Sequence, residues 1–258
     1  MKNFQGKGQR PTAPCKRCGA VALLCRSHAI NDAFFKGIFR ENSGKAHHLA
    51  IGAEKPVTTS ESGWDYLLCE ACEAHLNNNL DRWGHRWFKD AQDKIARDGW
   101  RGKFEIDPTR MARYVASVMW RASVSKAGAY EGFITNPTLR GQLKAVMDDQ
   151  ESPLEDFSVA INLLYDSEGQ FSASALRRII LSPISWIKRG GQIDRFVISM
   201  TVEGFLVVAS YPKFPWRNRL SSGFLNAQKS YIFMRPSDIR KTAPFPDLLE
   251  DVMRQLAG

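Results

Sequence analysis

Two identical Cys-x-x-Cys pairs, Cys15–Cys18 and Cys69–Cys72, limit what this chain can fold into more than any other feature. One such pair brings two thiolates to a single ion from one tight turn, and zinc takes four ligands in a tetrahedron. A lone pair would equally suit a thioredoxin-like redox site. Two pairs with 50 residues between them (19 to 68) point instead to one shared ion. Gly19 follows the first pair and gives the freedom that a knuckle turn needs. The second pair stands where a short apolar piece, Tyr66 to Leu68, runs into a helical pattern. Cys15, Cys18, Cys69 and Cys72 are therefore predicted to hold one structural Zn²⁺.

Cys25 is left over. It lies in the apolar run Val21 to Cys25, read as a strand, and is expected to be a buried thiol; a substitute zinc ligand is the lesser reading. An odd number of cysteines argues against a disulfide framework. The polar, basic stretch Met1 to Thr12 lacks the apolar run of a secretory signal. No apolar run approaches the roughly 20 residues that span a bilayer. A soluble, cytoplasmic protein with no membrane partner is expected.

Every cysteine and histidine precedes Gly99, and none follows it, so the chain is divided near residue 100. Residues 1–100 are read as a small zinc module with a long helix, and residues 101–258 as helices followed by a sheet. Ser43 to Gly63 is rich in small and polar residues and reads as a loop. From Glu70, Leu76, Leu80, Trp83, Trp87, Ala91 and Ile95 recur at helical steps until Asp98-Gly99. Asp107-Pro108 and Asn136-Pro137 each combine an N-cap with Pro at the first helical position. The helix after Asp107 is apolar nearly all round and should be buried.

Val159–Tyr165, Arg178–Leu181, Arg195–Thr201 and Phe205–Tyr211 read as strands, the last two joined by a turn at Glu203-Gly204. Tyr231–Met234 is a candidate fifth strand, and Pro246–Leu256 an amphipathic closing helix. The class is α+β, with a helical middle and a mostly antiparallel C-terminal sheet.

Net charge is +9, and it is segregated. Met1 to Ile30 carries six Lys/Arg and no acid; Tyr211 to Lys241 carries seven Lys/Arg against Asp238 alone. Such blocks suit a polyanion through phosphate neutralisation, although solubility alone is the competing explanation. In Tyr211–Arg219 aromatics alternate with Lys213, Arg217 and Arg219. Rings could stack on bases while the cations meet phosphates, or the rings could pack on the sheet behind them. Docking of a regulatory protein partner is a third use of this half.

The order of the N-terminal pieces resembles the HNH (ββα-metal, treble-clef) endonucleases in their zinc-ribbed form. The matching residues are Cys15, Cys18, Ser27-His28-Ala29-Ile30 and Leu67-Leu68-Cys69-Glu70-Ala71-Cys72-Glu73, and the resemblance covers about residues 13 to 80. It is similar in particular to a branch with Ser-His-x-Ile-Pro followed by an aromatic, here Phe34-Phe35, with Asn31 at the Pro position. A helix like Val115–Arg121, ending in Trp-Arg, tends to follow in that branch.

The resemblance implies a metal-dependent nuclease that hydrolyses DNA phosphodiester bonds, as a component of defence or of a mobile element. It makes His28 the general base, with Glu73 and Asn77 as ligands of a catalytic Mg²⁺ or Mn²⁺, and Arg26 or His75 as phosphate contacts. Ser27 stands where the family usually places Asp, Glu or His. Arg82, Arg86 and Lys89 share a helix face with His85 and are read as further nucleic-acid contacts, or as an ordinary exposed face. His47 and His48 read as loop residues. The alternative is a non-catalytic treble-clef module that binds nucleic acid or a protein, in which His28 is a structural histidine.

Overall fold

The knuckle at Cys15 joins two antiparallel strands, β1 (Thr12–Pro14) and β2 (Val21–His28). The computed structural model describes residues 9–41, 46–48, 57–59, 62–149, 151–189 and 194–242. After α1 (Asp32–Glu41), the short strands β3 (Ala46–His48) and β4 (Val57–Thr59) pair with each other inside the stretch expected to be a loop. The strand β5 (Trp64–Cys69) then pairs antiparallel with β2, giving the order β1-β2-β5. The strand expected to end at Cys25 continues to His28, past a bulge between Cys25 and Arg26.

The long helix predicted from Glu70 to Asp98 is α2 (Glu70–Leu76), a turn of π-helix (Asn77–Asp81) and α3 (Arg82–Asp98). It stops at Gly99, whose φ is +78°. A π turn holds one residue more than an α turn, so it rotates everything after it. Leu76, Leu80 and Ala91 face the core as expected, but Asp81 at the end of the turn and Gly84, Phe88 and Gln92 beyond it are buried as well. The predicted inward residues Trp83, Trp87 and Ile95 are only half-buried.

Beyond β6 (Phe104–Glu105), α4 (Pro108–Val124) and α5 (Pro137–Asp148) start where predicted. The carboxylate of Asp107 accepts from the Arg110 N–H at 2.9 Å, and the Asn136 side-chain oxygen accepts from the Leu139 N–H at 2.8 Å. As expected, α4 is buried along most of its length. It touches the π turn on one side and the C-terminal sheet on the other. Gly84 lets α3 approach it closely: a Cβ there would lie 2.7 Å from the Tyr114 ring.

The C-terminal strands are β7 (Ser158–Tyr165), then, after α6 (Ala173–Arg177), β8 (Leu181–Lys188), β9 (Arg195–Val202) and β10 (Phe205–Tyr211). The chain continues through α7 (Trp216–Arg219), β11 (Tyr231–Ile232) and β12 (Arg235–Asp238). The sheet order is β12-β7-β10-β9-β8, antiparallel except that β12 runs parallel to β7. Glu203 and Gly204 both have positive φ, as a tight hairpin turn between β9 and β10 requires.

Two strand assignments are corrected. Arg178 caps α6, and the strand expected over Arg178–Leu181 begins at Leu181 and runs to Lys188. It contains Pro183, which a sheet tolerates on an edge strand beside a bulge. Tyr231–Ile232 leaves the sheet to pair with β6, so the fifth strand is β12 instead. The closing helix expected over Pro246–Leu256 lies outside the described residues.

The fold is α+β. Its main buried cluster runs from Cys15 and Leu68 through Phe88 and Tyr114 to Val207 and Met234. Residues on both sides of position 100 therefore pack into one core. The other face of the C-terminal sheet carries a smaller cluster of Leu164, Leu176, Leu206 and Ile239.

Candidate metal centre and adjoining polar cluster

The first cysteine pair sits in a turn held by three backbone bonds. The Cys15 N–H donates to Ala20 O, the Gly19 N–H to Cys15 O and the Lys16 N–H to Leu67 O, each at 2.9 Å. Gly19 has φ +79°, which a side chain would strain. The last of these bonds fixes the knuckle to β5. That strand ends in Cys69, the N-cap of α2, with Cys72 in the first turn.

The four sulfur atoms lie within 4.8 Å of one another, and Cys18 Sγ is 3.9 Å from Cys69 Sγ. A tetrahedron with metal–sulfur bonds of about 2.3 Å has edges of about 3.8 Å. The cluster can therefore hold a metal ion such as zinc. Burial pushes the Cys15 thiol up, but the backbone N–H groups of Cys18, Cys69 and Arg17 outweigh it and bring it down to about 6. Burial and bonds to Cys69, Cys18 and Cys15 push Cys72 up to about 12. A metal ion bound there would hold its cysteine ligands as thiolates. Among the described residues this is the one group of three or more His, Cys, Asp or Glu side chains placed to hold a metal ion.

Beside α2 lies a second polar group. The buried Ser27 hydroxyl donates to Glu73 Oε2 at 2.5 Å. Burial raises Glu73 above the usual carboxylate range, although the Ser27 bond and the positive charge of Arg121 oppose it. Arg121 grips Asp81 with both ends of its guanidinium, and both side chains are inaccessible. The charges of this pair are felt by His28 as well as by Glu73. On the same helix, Tyr114 Oη and Ser117 Oγ are buried without a hydrogen-bond partner among the described residues. Burial holds the Tyr114 phenol far above its usual range.

The sequence reading missed Asp81, and noted Arg121 only as the end of a Trp-Arg helix. A cation within an otherwise apolar helix was the available signal. Its partner was hidden because the π turn, not the helical period, turns Asp81 inward.

His28 ends β2 and faces away from Ser27, since neighbouring strand residues point to opposite faces. Its Nε2 lies 2.9 Å from Ser62 Oγ, which donates to Asp32 Oδ1 at 2.8 Å. A serine has one proton, and the carboxylate takes it; His28 Nε2 then carries the hydrogen, which leaves Nδ1 as the acceptor. Burial holds His28 below its ordinary value of 6.5; Asp32 opposes this, while Arg121 and Lys36 add to it. The shift favours the neutral ring.

The predicted catalytic residues are thus held by different partners: Glu73 by Ser27, and His28 by Ser62. Asn77, one turn beyond Glu73, lines a cleft of about 600 Å³ with Asn31, Arg82, His85, Arg86 and Lys89, and with Asp90 and Asp93. The His85 ring packs edge-on against Phe34 with centroids 4.7 Å apart. Arg26 lies over the Trp64 ring at 4.4 Å, and His75 is exposed on α2. The side chains of His47 and His48 are outside the described residues.

Cys25 is half-buried rather than fully buried and accepts a hydrogen bond from Arg10 Nη2 at 2.9 Å. In the C-terminal basic segment, Lys213 donates to Glu155 O and Arg219 Nε to Phe214 O, so both are engaged by backbone. Arg217 lines a cleft on the outer face of the sheet.

Among the described residues no helix is long and apolar enough to cross a membrane. Comparison with protein-family models, with curated proteins and with solved structures gave no match for this chain.

Proposed function

We propose that this chain is a zinc-ribbed nucleic-acid phosphodiesterase of the ββα-metal type that its sequence resembles, with DNA as substrate. The observation that carries the reading is His28. Its Nε2 lies 2.9 Å from Ser62 Oγ, which donates to Asp32, an arrangement that favours the Nε2–H tautomer. The residue stands at the end of the strand that the cysteines tie to α2. Such a ring is prepared to take a proton at Nδ1 from an attacking water. Zinc in the four-sulfur site is structural, because all four positions are filled by protein ligands.

The oxygen donors that the resemblance names are few, and they lie on α2 and the π turn, not on the His28 face of β2. Glu73 has one carboxylate oxygen bonded to Ser27, and Asn77 offers an amide oxygen one turn on. Mg²⁺ commonly uses only one or two protein carboxylates and completes its shell with water and substrate phosphate, so this set fits an ion that arrives with the substrate. When bound, such an ion would polarise the phosphoryl oxygen and neutralise charge on the leaving oxygen. Arg82, Arg86 and Lys89 line the adjoining cleft and would hold flanking phosphates. The positive charge of Arg121 works against burial at Glu73, while Asp81 works with it.

The test is plasmid cleavage with Mg²⁺ or Mn²⁺ by the wild type, His28→Ala and Glu73→Gln, with metal content and DNA binding measured on each. Nicking that falls at least about 100-fold in His28→Ala, with zinc and binding retained, supports the reading. A wild type that binds plasmid but leaves it as intact as the mutants do would identify a non-catalytic zinc module instead.

A further inference from the structure

A cleft of about 700 Å³ opens on the outer face of the C-terminal sheet, opposite the main core. Its floor is formed by Ala160 and Asn162 of β7 and Val208 of β10. Gly223 brings the returning chain against that floor: with φ +96°, a Cβ there would lie 2.7 Å from Asn162 Oδ1. The Phe224 ring that follows meets Phe214 edge to face at 5.9 Å, and Tyr165 closes the far side.

Cations converge on this apolar and aromatic base from three segments: Arg217 from α7, Arg235 from β12 and Lys241 from the turn beyond it. Neither Arg217 nor Arg235 has a carboxylate partner among the described residues. The single acid in the lining is Asp238, 6% exposed. Its Oδ1 accepts from the N–H groups of Ser167 and Arg240, while Oδ2 is buried with no hydrogen-bond partner among the described residues and has Lys241 Nζ at 3.8 Å. The cleft therefore combines two cations without a carboxylate partner, aromatic faces and one carboxylate oxygen without a hydrogen-bond donor, all among the described residues.

Cations suit phosphate, aromatic faces suit a planar base, and a buried carboxylate oxygen suits a sugar hydroxyl or an amino group. The geometry points to a binding site for a nucleoside phosphate on the outer face of the C-terminal sheet. Its size falls within the range of small-ligand pockets. The ligand is either a free nucleotide or one nucleotide of a single strand; the recognition chemistry is the same. The site shares no residue with the His28 region, and its test needs no cleavage, so either reading can fail alone.

Full-length protein, in its metal-bound form, is titrated calorimetrically with AMP, ATP, a ten-nucleotide oligothymidylate and inorganic phosphate, alongside Arg217→Glu and Arg235→Glu. The proposal expects a nucleotide or the oligonucleotide to bind at least about tenfold more tightly than phosphate, and each charge reversal to weaken it by about tenfold or more at unchanged melting temperature. Mononucleotides matching or exceeding the oligonucleotide identify a free nucleotide as the ligand; an oligonucleotide preferred more than about tenfold identifies a strand. The proposal is overturned if neither nucleotide nor oligonucleotide binds, if phosphate binds equally well, or if both charge reversals leave the affinities unchanged.

Discussion

Arg121 Nη1 and Nη2 bond Asp81 Oδ2 and Oδ1 at 2.8 and 2.5 Å, joining the last turn of a buried helix, α4, to the π turn that follows α2. The guanidinium Nε also donates to Ser117 O at 3.3 Å. Removing one member strands the other charge in the core. Arg121→Met or Asp81→Leu should each cost about 3–5 kcal/mol in denaturant unfolding, because the survivor is left without compensation. The double variant should recover a large part of that loss. If the two single losses simply add in the double variant, the pair is not the unit described here.

This relationship also marks the limit of what the sequence could reveal. The cysteine spacing, the capped helices and the Glu203-Gly204 hairpin were legible because each rests on local chemistry: thiolate geometry, N-cap bonds and positive φ. The polar group beside α2 was not. An unbroken helical period puts Trp83 and Trp87 inward, whereas one added residue in the π turn substitutes Asp81, Gly84 and Phe88. The strand β12 was missed for a related reason. Arg-Pro-Ser-Asp has little strand character of its own, and only its parallel pairing with Asn162–Tyr165 makes it one.

The four sulfurs make a direct prediction about metal content. Purified under reducing conditions, the chain should carry one zinc per molecule by mass spectrometry or atomic absorption. Cys72→Ser should lose the ion and, with it, the order of the Cys15 knuckle, which the four sulfurs join to α2. Cys25→Ser should keep the full zinc content, because Cys25 lies outside the cluster and is bonded to Arg10. Zinc-free protein with a native amide spectrum would refute the assignment.

His28 should titrate below 6.5. Burial lowers it first, Arg121 and Lys36 contribute, and Asp32 works in the opposite direction. The base form is therefore present at neutral pH and is lost only as pH falls through this lowered value. In the cleavage reaction the acid limb of kcat/KM should have its midpoint below pH 6.5. The His28 ring protons should report the same midpoint by NMR, whether or not the chain cleaves DNA. Asp32→Asn removes the opposing charge and should move the midpoint further down; an upward shift would contradict the Ser62–Asp32 relay.

The knuckle has a second anchor, in Arg17. Its Nη2 lies 2.8 Å from Asp148 Oδ1 at the end of α5, and Lys144 Nζ lies 2.7 Å from Oδ2 of the same carboxylate. Burial raises the Asp148 carboxyl, but bonds from Lys144 and Arg17 outweigh it and hold the group below its ordinary 3.8. The sign follows from linkage: the unfolded chain binds the proton first. The contribution is therefore complete above pH 3.8 and disappears as pH falls through the lower folded value. With about a third of the side chain exposed, solvent screening keeps the contribution small. Asp148→Asn should cost about 0.5–1 kcal/mol at pH 7, and the difference from wild type should persist at pH 4.5. Raising salt should shrink it, because both partners reach solvent. A loss equal in high and low salt would show that Asp148 acts through packing of α5 and not through its charge on Arg17.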